Sequence, residues 1–176
     1  RARIHREAEG YLELGLYPQA LDTLARLGNP VGFDPHALYL LGEGLRGMGR
    51  FQDALLPLSQ AAEAAPQNVG VWLALGWCYK RVGQIEQAIE SLEHALDADP
   101  DEALIHYNLA CYWSLAGKKH RAIQCLAQAL EMEPNYIRLI EGEPDFEPVR
   151  HDPEFQDLCG RYRRRSKRLD RSSESS

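Results

Sequence analysis

Apolar residues recur at helical spacing along most of this chain. In residues 69–102, one apolar stripe recurs at i, i+3, i+4 and i+7, and a second stripe follows from Ile85 to Leu96. The first stripe consists of Trp72, Leu75, Gly76 and Tyr79. This spacing predicts two amphipathic helices. Gly83 lies between them, where a glycine in the left-handed conformation commonly ends a helix, and Pro100 ends the second helix.

The two-helix pattern repeats at one constant interval along the chain. The positions that recur at this interval include the glycines Gly15, Gly49, Gly83 and Gly117, the leucines Leu24, Leu58, Leu92 and Leu126, and the prolines Pro66, Pro100 and Pro134. Several independent series with one period indicate tandem copies of a single supersecondary unit. We therefore divide the chain into repeats at 1–34, 35–68, 69–102 and 103–136.

Residues 69–102 resemble the tetratricopeptide repeat, whose pattern is W-x2-L-G-x2-Y, then A-x3-F, then P, with the same period. The matching residues are Trp72, Leu75, Gly76, Tyr79, Ala88, Leu92 and Pro100, with Leu92 in place of the aromatic. Repeats 35–68 and 103–136 keep most of the pattern, and 1–34 is a degenerate N-terminal copy, as expected at the end of a stack. The resemblance implies an all-α fold, a right-handed superhelical solenoid of antiparallel helix pairs plus C-terminal capping helices.

The residues after position 136 do not continue the repeat. Residues 137–159 are predicted to form a C-terminal cap, and they resemble the ending of many bacterial tetratricopeptide arrays. The apolar residues expected to cover the last repeat are Phe146, Val149, Phe155 and Leu158. Residues 160–176 are predicted to form a basic helix end and a tail, with the helix running to about residue 169 and residues 172–176 disordered.

Charge is unevenly distributed along the chain, whose formal net charge is −6. Residues 160–176 carry 7 − 2 = +5, and residues 1–159 carry 13 − 24 = −11. The predicted basic-tail site is Arg161, Arg163, Arg164, Arg165, Lys167 and Arg168. The acidic body argues against nucleic-acid binding by the solenoid. The tail is open to three interpretations: a solvated helix end, docking on an acidic surface of this protein or a partner, or transient contact with nucleic acid or anionic lipid.

Hydropathy and cysteine usage indicate where such a chain resides. No stretch approaches the length of uncharged apolar sequence that a bilayer requires, so no membrane span is predicted. The four cysteines form no C-x-x-C pair, which favours a reducing, cytoplasmic location. The chain begins with Arg1 rather than methionine, so we expect a fragment or a processed chain, and a targeting domain cut from a larger protein stays open.

The sequence contains no pattern typical of a catalytic or metal site. It has no glycine-rich phosphate loop, no nucleophile elbow and no Cys/His ligand spacing. His106 occupies a core repeat position, which favours a packed histidine over a ligand. We therefore predict that the chain is not an enzyme and has no catalytic residue, metal or cofactor.

The family resemblance implies a concave face lined by the first helix of each repeat. The predicted partner-binding residues on that face are Tyr39, Glu43, Leu73, Trp77, Lys80, Arg81, Leu104, Tyr107, Asn108 and Cys111. Core packing explains Trp72 and Trp113, but a groove position has no structural need for Trp77. Alternatively, Trp77 and Tyr107 pack across adjacent first helices, or the strip is covered by the chain's own tail or by a second copy.

The pattern favours a non-catalytic scaffold that binds another protein in this groove. An apolar or amphipathic peptide is the better ligand, because the positions that grip a chaperone C-terminal carboxylate in some family members hold unsuitable residues here, such as Tyr39, Glu43 and Ala74. The alternative functions are a self-assembly module, driven by the acidic solenoid and the basic tail, or the targeting domain named above.

Overall fold

The protein is built from helix pairs. A computed structural model describes the backbone of residues 1–29, 32 and 34–173, and the side chains of those residues as far as 168. The repeat helices are α1 (Ala2–Glu13), α2 (Tyr17–Ala25), α3 (Pro35–Gly47), α4 (Phe51–Ala64), α5 (Val69–Arg81), α6 (Ile85–Ala98), α7 (Ala103–Leu115) and α8 (Lys119–Met132). The described residues contain no β-strand, and the all-α prediction is confirmed.

The same turn closes the first helix of every repeat. Gly83 has φ +80°, its amide donates to the Lys80 carbonyl at 3.1 Å, and the Gln84 amide donates to the Tyr79 carbonyl at 2.9 Å. These two bonds satisfy carbonyls that the ended helix leaves without partners. Positive φ values recur at the equivalent glycines Gly15, Gly49 and Gly117. The predicted turn at Gly83 is confirmed, and its brevity makes the paired helices antiparallel.

Side-chain caps begin the first helices of the last three repeats. Asp34 Oδ1 accepts from the Ala37 amide at 2.9 Å, and Asn68 Oδ1 accepts from the Val71 amide at 3.4 Å. Glu102 accepts from the amide of Leu104 at 3.2 Å. The three caps hold equivalent positions along the repeat, so each of these helices starts with a polar residue that pairs an otherwise unbonded helix N–H.

The fold divides into two compact units, the first Arg1–Asp99 and the second beginning at Pro100. In the first unit, small residues allow the two helices of a pair to approach closely. A Cβ at Gly76 would lie 3.2 Å from the Leu92 side chain and 3.3 Å from the Ala88 carbonyl oxygen. Close packing leaves no room for that atom without a shift of the neighbouring helix.

The second unit consists of α7, α8 and the segments that follow them. These segments are a 3-10 turn Pro134–Tyr136, α9 (Ile137–Ile140), a 3-10 segment Pro144–Val149 and α10 (Pro153–Ser173). Phe146 is fully buried, with its ring centroid 5.7 Å from that of Tyr107 and 5.6 Å from that of Phe155. Val149, Phe155 and Leu158 are also buried. The 3-10 segment thus brings an aromatic ring directly onto α7.

Arg150 joins the pieces of this non-repeating segment. Its guanidinium donates to Glu147 Oε1 at 2.7 Å and to the Glu143 carbonyl oxygen at 2.8 Å. It also reaches the carbonyl oxygen of Ile140, at the end of α9, at 3.4 Å. Arg150 therefore connects α9, the turn at Glu143 and the 3-10 segment through charge-assisted hydrogen bonds.

Helix α10 is longer than the sequence pattern predicts. It continues to Ser173, so the expected disorder is wrong for residues 172 and 173. The preceding run of arginine and lysine favours helix, and the backbone bonds of α10 carry on through the two serines. The rest of the predicted disordered tail, residues 174–176, lies outside the described residues. No helix in the described part of the chain has the length and hydropathy needed to cross a bilayer.

Candidate functional site

Trp77 lies in the middle of α5 with a large part of its indole open to solvent. It is 38% exposed, whereas its neighbours Gly76 and Cys78 are buried. Lys80 follows one turn later, and its Nζ lies 5.1 Å from the centroid of the indole ring. An ammonium over a tryptophan face is a favourable cation–π contact. Trp77 is therefore a surface residue whose indole ring is contacted by Lys80 of the same helix.

Tyr39 of α3 and Leu73 of α5 are half-buried residues of the same unit. A Cβ at Gly70 would lie 3.6 Å from the Tyr39 hydroxyl oxygen, so the phenol reaches the first turn of α5. Burial, together with the nearby charge of Glu43, raises the pKa of Tyr39. The phenol is therefore a neutral hydrogen-bonding group at physiological pH.

Glu43 forms a bidentate ion pair with Arg46 on α3. The Arg46 guanidinium donates from Nε at 2.7 Å and from Nη2 at 2.9 Å to the two carboxylate oxygens. The hydrogen bond to Glu43 raises the pKa of Arg46. Burial raises the pKa of the neighbouring Cys78 thiol to about 11, so this cysteine is not a thiolate nucleophile at neutral pH. We call the surface made by Tyr39, Glu43, Leu73, Trp77 and Lys80 the α3–α5 face.

Arg81 has a different environment from the other residues that were predicted to bind a partner. Its guanidinium carbon lies 4.7 Å from the ring centroid of Phe51, at the start of α4. The side chain is exposed, but its planar head is stacked on a ring of another helix of the same unit. We therefore leave Arg81 out of the α3–α5 face.

A cluster of histidines and carboxylates joins α1 to the start of α3, and its pairing was not predicted from the sequence. His36 Nε2 lies 2.7 Å from Glu9 Oε1, His5 Nε2 lies 3.4 Å from Asp34 Oδ2, and the two imidazole centroids are 5.2 Å apart. Burial opposes a low pKa at Asp34, but the bond from the Ala37 amide and the charges of His5 and His36 lower it. The positions of His5, Glu9 and His36 on the first helices of their repeats were a signal, but the pairing itself was hidden because the partners are far apart along the chain.

Two of the residues predicted for the groove lie in the core of the second unit. Tyr107 is 5% exposed and Cys111 is 3% exposed, whereas Leu104 is 39% exposed and Asn108 is half-buried. The ring of Tyr107 meets Phe146 edge-on and packs against Tyr136 at a centroid distance of 5.2 Å. The chain's own C-terminal segment therefore packs on Tyr107, and Cys111 is buried as well, so the expectation that these two side chains line an open face is wrong.

The buried environment of Tyr107 changes the acidity of its phenol. Burial, then the neighbouring Cys111 and Glu143, raise the pKa of Tyr107. Its hydroxyl oxygen is buried with no hydrogen-bond partner among the residues that the structure describes. A phenol in this position contributes packing rather than recognition.

His106 has a structural hydrogen bond that the repeat explains. Its Nε2 lies 2.9 Å from the Pro100 carbonyl oxygen. Trp72, at the equivalent position of the preceding repeat, donates from Nε1 to the Pro66 carbonyl oxygen at the same distance of 2.9 Å. His106 thus replaces the tryptophan of the repeat as a donor to the preceding turn.

The basic residues of α10 differ in their contacts. Arg161 Nε lies 3.6 Å from Asp157, and Arg163 Nε lies 3.3 Å from Glu141. Arg164, Arg165, Lys167 and Arg168 are exposed. The first three of these have no acidic partner within the described part of the chain. That side of α10 is a concentrated positive surface.

Nothing in the described residues suggests a metal centre. Across residues 1–29, 32 and 34–168, no three histidine, cysteine, aspartate or glutamate side chains are grouped as ligands would be.

Comparison with known proteins agrees with the repeat architecture. Three family models described as tetratricopeptide repeat match residues 5–69, 45–110 and 103–136. A crystal structure of MamA aligns at 15% identity with a TM-score of 0.78, over 96% of this chain and 97% of that chain. MamA 41-end from Desulfovibrio magneticus RS-1 aligns at 22% identity with a TM-score of 0.76, over 97% of this chain and 96% of that chain.

YrrB, described as "a TPR protein with an unusual peptide-binding site", is also similar. It aligns at 20% identity with a TM-score of 0.69, over 77% of this chain and 70% of that chain. No curated protein matches the chain by sequence. At these identities the structural matches establish the fold alone.

Proposed function

Because this chain belongs to the tetratricopeptide repeat family, we propose that it is a non-catalytic scaffold that binds a peptide or helix of another protein on the α3–α5 face. The observation that supports this proposal is the exposed indole of Trp77 beside Lys80. Tryptophan is enriched among the residues that dominate interface energies, and its apolar area favours an apolar or amphipathic ligand. The peptide-binding site described for YrrB supports the same use of the fold.

The proposed surface is smaller than the sequence pattern suggests. It consists of the α3–α5 face of the first unit. Leu104 and Asn108, which belong to the second unit, stay predictions from the sequence. Tyr107 and Cys111 are excluded because they are buried. A cytoplasmic location stays a prediction from cysteine usage.

The test is partner capture from the native source, followed by affinity measurement with the partner recovered. Trp77→Ala should lower the affinity about 30-fold, corresponding to about 2 kcal/mol for an anchoring aromatic. The matched control is Leu56→Ala on α4, which removes an apolar side chain that is 67% exposed and lies outside the α3–α5 face. Equal binding by wild type and Trp77→Ala would remove the basis of the proposal.

A second candidate function is self-association through α10. The observation that favours it is the set of exposed cations without acidic partners in the described residues, Arg164, Arg165 and Lys167, in a chain whose residues 1–159 carry 13 − 24 = −11. Attraction between exposed charges is screened by salt. Light scattering should then show an oligomer that dissociates as salt is raised and that Arg164→Glu with Arg165→Glu abolishes. A monomer at low salt and high concentration rejects this candidate.

A further inference from the structure

A groove with a volume of about 410 Å³ lies between α4 and α6, away from the α3–α5 face. Its lining includes Trp72, Leu75 and Tyr79 of α5. The Trp72 indole stacks on the His94 imidazole of α6, with ring centroids 4.5 Å apart and an angle of 24° between the planes. The Trp72 ring is further anchored by its hydrogen bond to the Pro66 carbonyl oxygen. The groove therefore has an aromatic and apolar lining whose geometry is already fixed.

Carboxylates stand on both walls of this groove. Glu63 lines it from α4, and Glu90 lines it from α6. Both side chains are exposed, and neither has a cationic partner among the residues that the structure describes. Two unpaired carboxylates beside aromatic rings provide both of the attractions that a cationic side chain requires, ion pairing and cation–π contact.

In the next repeat, an arginine stacks on the aromatic residue that corresponds to Tyr79. In the second unit, the Arg121 guanidinium of α8 lies 4.8 Å from the ring centroid of Trp113 of α7. The equivalent residues of the preceding repeat are Gln87 and Tyr79, both of which line the groove. The repeat thus places an aromatic ring where a guanidinium can stack. In repeat 69–102, however, the residue beside Tyr79 is the neutral Gln87 instead of an arginine.

From this comparison we propose that the groove between α4 and α6 binds an arginine side chain presented by a segment of another protein. The guanidinium stacks at Tyr79 as Arg121 does at Trp113, and it pairs with Glu63 and Glu90. The methylene stem packs on the apolar lining. Arginine suits the site because its planar head both stacks on a ring and forms directed hydrogen bonds with carboxylates.

The test is an NMR titration of the full chain with the tripeptide acetyl-Ala-Arg-Ala-amide. The control peptide carries citrulline, which has the shape of arginine without its charge. We expect the arginine peptide to shift the Trp72 indole N–H and the amide signals of Gln87 and Glu90 saturably, at millimolar concentration. The citrulline peptide should bind at least tenfold more weakly, because it lacks the ion pair and most of the cation–π attraction.

Two charge-matched double variants test whether the arginine peptide binds in this groove. Glu63→Gln with Glu90→Gln should weaken arginine binding at least tenfold. Glu86→Gln with Glu93→Gln removes the same charge from exposed positions outside the groove lining and should leave binding unchanged. All four side chains are exposed, so both variants should keep the wild-type melting temperature. Tyr79→Leu should weaken binding at least fivefold while keeping an apolar side chain at that position.

Three results would overturn the inference. Equal binding of the citrulline and arginine peptides would show that the groove does not recognise the cation. Equal loss in the two double variants would show a general charge effect. Movement of the Trp72 signal when the protein alone is diluted would show that a second copy occupies the groove. Trp77→Ala should leave arginine binding unchanged. A negative result for arginine binding in the groove can therefore be distinguished from a negative result for partner binding on the α3–α5 face.

Discussion

Replacing Phe146 with alanine should open the C-terminal segment of the second unit. The ring is fully buried and makes aromatic contacts with Tyr107 and Phe155. Truncating a buried phenylalanine costs about 3–5 kcal/mol, through lost apolar burial and the cavity left behind. If only this segment opens, the free energy of its local unfolding should fall by the same amount.

Thiol labelling resolved by mass spectrometry measures that opening. Cys111 and Cys159 are 3% and 0% exposed, so they react only when the second unit opens. Because each factor of ten corresponds to about 1.4 kcal/mol, a loss of about 3 kcal/mol should speed their labelling about 100-fold. Cys78, buried in the first unit, should keep its wild-type rate and serves as the internal reference.

The matched control for this experiment is Leu139→Ala. Leu139 belongs to the same non-repeating segment but is 53% exposed, so its truncation should change stability by no more than about 0.5 kcal/mol. An increase of less than about fivefold at Cys159 in Phe146→Ala would refute the reasoning. So would equal acceleration at Cys78, because the effect would then not be confined to the second unit.

Three further predictions concern backbone conformation, a buried hydroxyl and pH. Gly83→Ala should destabilise the protein by about 1–2 kcal/mol, because φ at this position is +80°. Gly10→Ala within α1 should stabilise the protein by about 0.5–1 kcal/mol, because an added Cβ there meets no other atom. Thermal melts measure both effects. Tyr107→Phe should not lower stability in urea titrations, because it removes a buried hydroxyl that has no partner in the described residues. The hydrogen bond from Lys119 lowers the pKa of Asp152, so Asp152→Asn should destabilise at pH 7, with the difference shrinking below about pH 3.9 in melts across pH.

Each of these outcomes has a counterpart that would contradict it. Equal and same-sign effects of the two glycine variants would show that φ is not the cause. A loss of more than about 1 kcal/mol in Tyr107→Phe would indicate a partner for the hydroxyl. The hydrogen bond to Asp152 raises the pKa of Lys119. The stabilisation from the Lys119 charge is therefore lost only as the pH rises above about 10.4, whereas that from Asp152 is lost as the pH falls. An Asp152→Asn effect that does not change between pH 7 and pH 3 would exclude the ion pair as its source.

Local signals in the sequence were sufficient for the helix pairs. Gly83 was predicted to end a helix in the left-handed conformation, and it does so with two specific hydrogen bonds. The stripe containing Trp72 and Tyr79 was predicted to be one face of an amphipathic helix, and both side chains are half-buried. These features depend on residues within a single repeat, which is why one repeat predicts the next.

The candidate site was less predictable because its surroundings are not periodic. Trp77 and Tyr107 lie on the first helices of neighbouring repeats and were both predicted to line the concave face, yet Trp77 is 38% exposed and Tyr107 is 5% exposed. The difference comes from Phe146, which belongs to a segment outside the repeat. Periodicity carries no information about where such a segment packs.

The sequence by itself determined the number of helix pairs, the turns that close them and the family to which the chain belongs, since all three follow from a periodic pattern of local interactions. Tertiary structure alone decided which apolar positions remain at the surface. Burial depends on what packs against a helix as well as on the helix itself. For this reason Tyr107 is buried against Phe146, and the unpaired carboxylates of Glu63 and Glu90, on different helices, line the same groove.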